Sequence, residues 1–146
     1  NYFAATNMLY VDRNKGITEL AELTKSSVPE VAALSKFALA QTKTADGKYD
    51  EAVQLLGELA RQNSTIITPD TANLELANAY EKQGKKNEAV ELLFAIVEAS
   101  RKAKDADGTP ATPTAASREA SEKLQNLDPD RYAKLTPELP GSDIPF

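Results

Sequence analysis

The sequence has no cysteine, no histidine and no tryptophan, a single methionine and only 6% aromatic residues. Without thiols or imidazoles it can form neither a disulfide nor an ordinary zinc site, and it offers no thiolate nucleophile and no imidazole base. Most common enzyme machinery is thereby excluded, and neither a metal nor a cofactor is expected. A basic block is also missing. With a net charge of −5 the chain lacks the electrostatic footprint from which nucleic-acid binders draw most of their affinity, so nucleic acid is excluded as a partner. No stretch approaches the roughly 18 apolar residues of a membrane span. The longest apolar run, from Leu92 to Val97, lies inside a periodic helix, and no membrane insertion by this segment is expected. The absence of cysteine is permissive of export. The chain opens on Asn1, not Met, and Tyr2, Phe3, Ala4 and Ala5 read as a helix already under way. A signal or a membrane anchor is therefore expected upstream, with the periplasmic or extracytoplasmic face of a bacterial membrane favoured over the cytoplasm.

What the chain does contain is helix-forming. At 146 residues it is the size of one domain, 41% hydrophobic and 27% charged, and rich in Ala, Leu, Glu and Lys. An internal repeat organises it. The stripe Gly16, Ile17, Leu20, Leu23 recurs as Ala52, Val53, Leu56, Leu59 and again as Ala89, Val90, Leu93, Ile96, at offsets of 36 and 37 residues. Each copy is one face of a helix at the 3.6-residue period, headed by a small residue that lets a neighbouring helix approach closely. Gly47 and Gly84 stand five residues before Ala52 and Ala89, where tight inter-helix turns are needed. Second apolar patterns precede those turns, at Leu34, Phe37, Ala38, Leu39 and Ala40 and at Leu74, Leu76, Ala77 and Tyr80, so each repeat reads as helix, turn, helix. Ser27, Val28, Pro29 and Glu30 have capping-box spacing, and Thr68 followed by Pro69 and Asp70 offers a cap with Pro at the first helical position.

The pattern resembles the tetratricopeptide repeat family, whose signature is Trp-x2-Leu-Gly-x2-Tyr, then Ala-x3-Phe, then Pro, over about 34 residues. Leu76-Ala77, Tyr80, Gly84 and Ala89-x3-Leu93 match it best. Leu39-Ala40, Gly47 and Ala52-x3-Leu56 follow, with Lys43 where Tyr is usual. Lys36 and Asn73 stand in the tryptophan place, the closing proline is absent, and the first copy has Phe3-Ala4 but no turn glycine. The resemblance implies an all-α, right-handed α-α superhelix of about three helix-turn-helix repeats plus a C-terminal capping helix.

Helices are expected at 2–12, 15–25, 29–44, 48–62, 69–83, 86–103 and 115–127. Leu20, Leu23, Leu39, Ala52, Leu56, Leu59, Leu76, Ala77, Ala89, Leu93 and Ile96 should form the core. The chain divides into a repeat domain over 1–104 (repeats about 1–27, 28–66 and 67–104), a linker at 105–114 with the composition of a flexible connector, a helix and cap at 115–135, and a Pro-rich tail at 136–146. Ile144 and Phe146 of that tail either pack or dangle.

Apparent chemical motifs reduce to bland readings. Asp105-x-Asp107-Gly108 resembles part of a calcium loop, but with Gly108 in the glycine place the loop begins at Ala103 and ends at Thr114, losing both essential ligands. Asn63-Ser64-Thr65 fits a glycosylation triplet and reads as turn chemistry. Carboxylate pairs such as Glu88 and Glu91, or Asp50 and Glu51, lack an apolar pocket to separate their pKa values, and Tyr49 and Tyr80 belong to packing stripes. No catalytic residues are expected.

The family resemblance places Phe37, Gln41, Thr44, Leu74, Asn78 and Glu81 on a concave groove lined by the first helices of the repeats. It implies a protein-interaction module or assembly scaffold that holds a protein or peptide segment there. Members that grip a terminal carboxylate use lysine, arginine and asparagine, whereas the comparable places here hold Phe37, Gln41, Leu74, Glu75 and Asn78. An extended or helical segment with apolar anchors on Phe37 and Leu74 suits the surface better, unless those two residues pack into the core. A second implication is the soluble part of a membrane-anchored envelope protein assisting secretion or envelope assembly. A carboxylate-dependent enzyme or accessory subunit is the remaining alternative.

Overall fold

A computed structural model describes residues 1–140 of the chain; Gly141, Ile144, Pro145 and Phe146 of the expected tail lie outside the described residues. Eight helices follow one another: α1 (Tyr2–Val11), α2 (Arg13–Leu23), α3 (Pro29–Ala45), α4 (Tyr49–Arg61), α5 (Pro69–Lys82), α6 (Lys86–Lys102), α7 (Ala115–Leu127) and the short α8 (Pro129–Tyr132). The first seven agree with the expected ranges to within two residues. The eighth is built on Pro129, read from the sequence only as the stop to α7. There Asp128 ends one helix and caps the next, its carboxylate accepting from the Arg131 N–H at 2.9 Å.

Local chemistry explains the boundaries. Asn1, Asp12, Thr68 and Thr114 each accept a backbone N–H of the turn that follows, satisfying donors that a helix start leaves orphaned. The capping box expected at Ser27 does not form. Pro29 begins α3, so Val28 occupies the cap position without a side-chain bond, and Ser26 turns its hydroxyl to the Val28 N–H at 3.1 Å. Gly47 and Gly84, at φ +75° and +81°, close α3 and α5 in the left-handed region. In both, the N–H two residues past the cap reaches five residues back, Lys48 to Lys43 at 2.9 Å and Lys85 to Tyr80 at 2.8 Å, the Schellman arrangement that a glycine permits. Asn63 ends α4 in the same backbone region at φ +49°, which asparagine tolerates better than most residues; the turn-chemistry reading of its triplet has this physical basis.

The first turn works differently. A single residue, Asp12, separates α1 from α2, serving both as C-cap of one and N-cap of the other. Closeness is supplied from inside the helix. A Cβ added to Gly16 would stand 2.6 Å from the Leu9 backbone nitrogen and 2.9 Å from its Cα, so α1 lies directly on the glycine. Ala52 and Ala89, the equivalent small residues, are both fully buried.

The helix pairs α1–α2, α3–α4 and α5–α6 stack in order. α1 approaches α3, α3 approaches α5 and α5 approaches α7 closely, whereas the backbones of α2, α4 and α6 stand farther from one another. Among the described residues, then, the first helices converge into an inner row and the second helices splay outward, which makes the inner row concave. Three clusters fill the core: Ala5, Leu20 and Leu39 at the amino-terminal end; Ala33, Ala40, Leu56, Leu59, Ile67, Ala72, Leu76 and Ala79 in the middle; and a third around Leu74, Ala77, Ala89, Leu93, Ile96, Ala120 and Leu124. All the expected core residues are buried except Leu23, which is half-buried at the end of α2. Phe3, Tyr10 and Val11 leave the outer face of α1 largely open at 74%, 91% and 83% exposure.

The expected connector after α6 is an ordered turn, not a flexible one. Asp105 donates its N–H to Thr109 at 2.9 Å, Ala111 to Ala103 at 3.0 Å, and Lys104 and Pro110 form an isolated antiparallel bridge. Asp107 accepts from both the N–H and the hydroxyl of Thr109, which hold its carboxyl below the usual range. The spacing that resembles a calcium loop thus organises a turn.

Candidate functional site

Among the described residues the concave row contains an open cleft, about 380 Å³ in volume, between α3, α5 and α7. Two helices supply side chains at i, i+3 spacing, which puts each pair on a single face: Gln41 and Thr44 from α3, and Glu75 and Asn78, with Glu81 and Lys82 beyond them, from α5. Lys123 of α7 completes the wall and faces Glu81 at 4.0 Å. Gln41, Thr44, Asn78 and Glu81 therefore share one cavity, as four of the six residues expected in the groove.

The other two lie elsewhere. Leu74 is only 5% exposed and packs with Ala77, Leu93, Ala120 and Leu124, so it is core and not a groove anchor. The reason is α7: its inner face, carrying Ala120 and Leu124, lies where a further first helix would and covers Leu74. Phe37 is half-buried against the middle cluster and does not line the cleft. The side chains that line the cleft are accordingly mostly polar, where apolar anchors were expected.

Glu75 sets its electrostatics. Burial pushes the carboxyl up, Glu119 of α7 adds to that, and the amides of Asn78 and Gln41 together with Lys123 oppose it. Thr44 donates its hydroxyl to the Ala40 carbonyl at 3.0 Å, so toward the cleft it can only accept. The sequence comparison had set Glu75 against the carboxylate-gripping members without assigning it a role, and it missed Lys123. A signal for Lys123 exists: it follows Ala120 by three residues and so flanks the apolar stripe of α7.

Three of the four carboxylates considered for acid-base work are engaged in structure. Glu51 pairs with Lys43, Asp50 accepts from Gln83 at 2.7 Å, and Glu91 accepts from both the Nε and Nη2 of Arg131, whose guanidinium also lies 3.7 Å from the centre of the Phe94 ring. Tyr80 packs against the core, with the Lys85 ammonium 5.9 Å from its ring centre.

Residues 43–108 match the family model described as tetratricopeptide repeat. This stretch carries tetratricopeptide repeats. Tetratricopeptide repeats generally mediate protein–protein interaction. No curated protein and no solved structure gives a significant match to the chain. Among the described residues no helix is long and apolar enough to cross a membrane.

Beyond the repeats, α6 holds the segment after α8 by charge. Glu98 accepts from the hydroxyl and the N–H of Thr136 and pairs with Lys102, and these contacts bring its carboxyl down from 4.5 to about 2. Arg101 donates to the Thr136 carbonyl at 3.0 Å and to Glu138 at 3.0 Å, over the Tyr132 ring. A carboxyl whose pKa is depressed on folding contributes stability above its unfolded value, and that contribution fades as pH falls toward the folded one. Acid titration should therefore release Thr136 between about pH 4.5 and 2, seen as loss of hydrogen-exchange protection at its amide while α3–α5 persist. A Glu98→Gln protein should show that exchange at neutral pH, and protection unaltered by the substitution would contradict the latch.

Proposed function

We propose that this chain is a binding module, or part of an assembly scaffold, that holds a segment of a protein partner in the cleft between α3, α5 and α7. The observation that carries this reading is the convergence of Gln41, Thr44, Glu75, Asn78 and Glu81, from the first helices of successive pairs, on one open concavity. A repeat stack offers extended surface of this kind, and polar groups inside a concavity fix the orientation of whatever enters. Binding suits the lining better than catalysis does: it presents amides, carboxylates, a hydroxyl and ammonium groups, with no imidazole or thiolate in the sequence to act as base or nucleophile. The partner differs from that first expected, because the buried Leu74 removes the apolar anchor on which a hydrophobic segment would have seated.

The test is site-specific photo-crosslinking in the native cell. A photoreactive residue at the exposed positions Gln41 or Glu81 should capture a protein partner. The same residue at Gln54 of α4 or Ala95 of α6, exposed on the outer helices, should capture none. Adducts from the outer positions alone would move the interface to the convex side.

A further inference from the structure

The cleft has a hydrogen-bonding and charge polarity that selects what can enter it. Glu75 is more than half buried, yet among the described residues no lysine or arginine forms an ion pair with it. Lys123, the cation whose field reaches it, faces Glu81 instead, at 4.0 Å. Glu119 adds a second negative charge from the α7 side. Lys82, seven positions along α5 from Glu75, lies with Lys123 toward the Glu81 end of the cleft, so acceptors predominate at the Glu75 end. Thr44 has committed its proton to Ala40, and the buried Asn78 Oδ1 accepts from no donor. A ligand that brings only acceptors meets repulsion and unpaired oxygens, whereas a donor-rich cation satisfies several of them at once.

Resting on the groove reading above, we propose that the segment held in the cleft carries a cationic side chain, arginine in preference to lysine, with the Glu75 carboxylate as its counter-charge. Arginine is favoured because acceptors on two helices, Glu75 on α5 with Gln41 and Thr44 on α3, stand apart in direction. A planar guanidinium with five N–H donors reaches divergent acceptors, whereas an ammonium acts as a point charge. The exposed aliphatic part of such a side chain has Ala45 at the cleft edge to lie against.

The experiment uses the full chain and a randomised peptide library blocked at both ends, so that no terminal charge takes part. Selection on the wild-type protein should enrich peptides with arginine, and less often lysine, at one fixed place. Replacing that arginine by its neutral isostere citrulline in the strongest peptide should weaken binding roughly tenfold or more, the range of a charge-assisted hydrogen bond. With Glu75→Gln, whose fold is checked by circular dichroism, the two peptides should bind within about twofold of one another. A photoreactive residue at Gln41 should label the selected peptides. If peptides crosslink at Gln41 but carry no cation, or carry a carboxylate, this inference is overturned while the groove reading stands. If selection yields nothing, or only peptides that never label the cleft, both fall.

Discussion

Gly16→Ala should lower the stability of the amino-terminal helix pair by about 2 kcal/mol, although alanine is the better helix former. Two effects of opposite sign compete. An alanine inside a helix gains about 1 kcal/mol over glycine, whereas forcing a methyl group into a closed contact costs about 1–3 kcal/mol, and more when the neighbour cannot move. Here the neighbour is backbone: the added carbon would sit 2.6 Å from the Leu9 nitrogen and 2.9 Å from its Cα. α1 must lift off α2 as a body. Because repeat stacks hold each element mainly through its neighbours, the damage should be local, with hydrogen-exchange protection lost across residues 2–11 and retained in α5 and α6. An unchanged melting curve with α1 still protected would show that α1 does not rest on Gly16.

Leu93→Ala should have the larger global effect. Leu93 has no exposed surface and sits in the cluster that joins α5, α6 and α7, with Leu74, Ala77, Ala120 and Leu124 among its members. Deleting a buried leucine side chain costs about 2–5 kcal/mol, the upper part applying where the surroundings cannot collapse into the void. Three helices meet at this place, so relaxation toward the cavity by one opens its contact with the others. We expect chemical denaturation to show a loss near 3–4 kcal/mol within that range. We also expect α7 to lose protection early, since Ala120 and Leu124 dock on this cluster. A loss below about 1 kcal/mol would mean that the cluster repacks freely, contrary to the burial seen.

Periodicity, small residues and turn glycines made the helical stack legible in the sequence, because each records a local physical demand. Gly47 and Gly84 announce left-handed caps, and the recurring position of Gly16, Ala52 and Ala89 announces close helix contacts. What escaped depends on chain segments far apart. The burial of Leu74 follows from α7 returning to the inner row some forty residues later, which the stripe containing Leu74 does not encode. The same return brings Lys123 to Glu81 and Glu119 to the neighbourhood of Glu75. Residues 105–114 have the composition of a loose linker, yet one carboxylate, Asp107, suffices to fold them into a turn. Composition reports average tendency, whereas a turn needs only a few groups in register. The cleft was half legible for a related reason: Gln41, Thr44, Asn78 and Glu81 share helix faces fixed by spacing, but the polarity between them is set across three helices.

The arrangement of inner and outer helices also bears on elasticity. With each of α1, α3, α5 and α7 close to the next and the backbones of α2, α4 and α6 farther apart, bending inward compresses side chains that already touch. Bending outward narrows the wider spacing of the outer helices. The stack should therefore behave as a spring that is stiff in one sense and compliant in the other, and thermal flexing should act mainly on the width of the cleft.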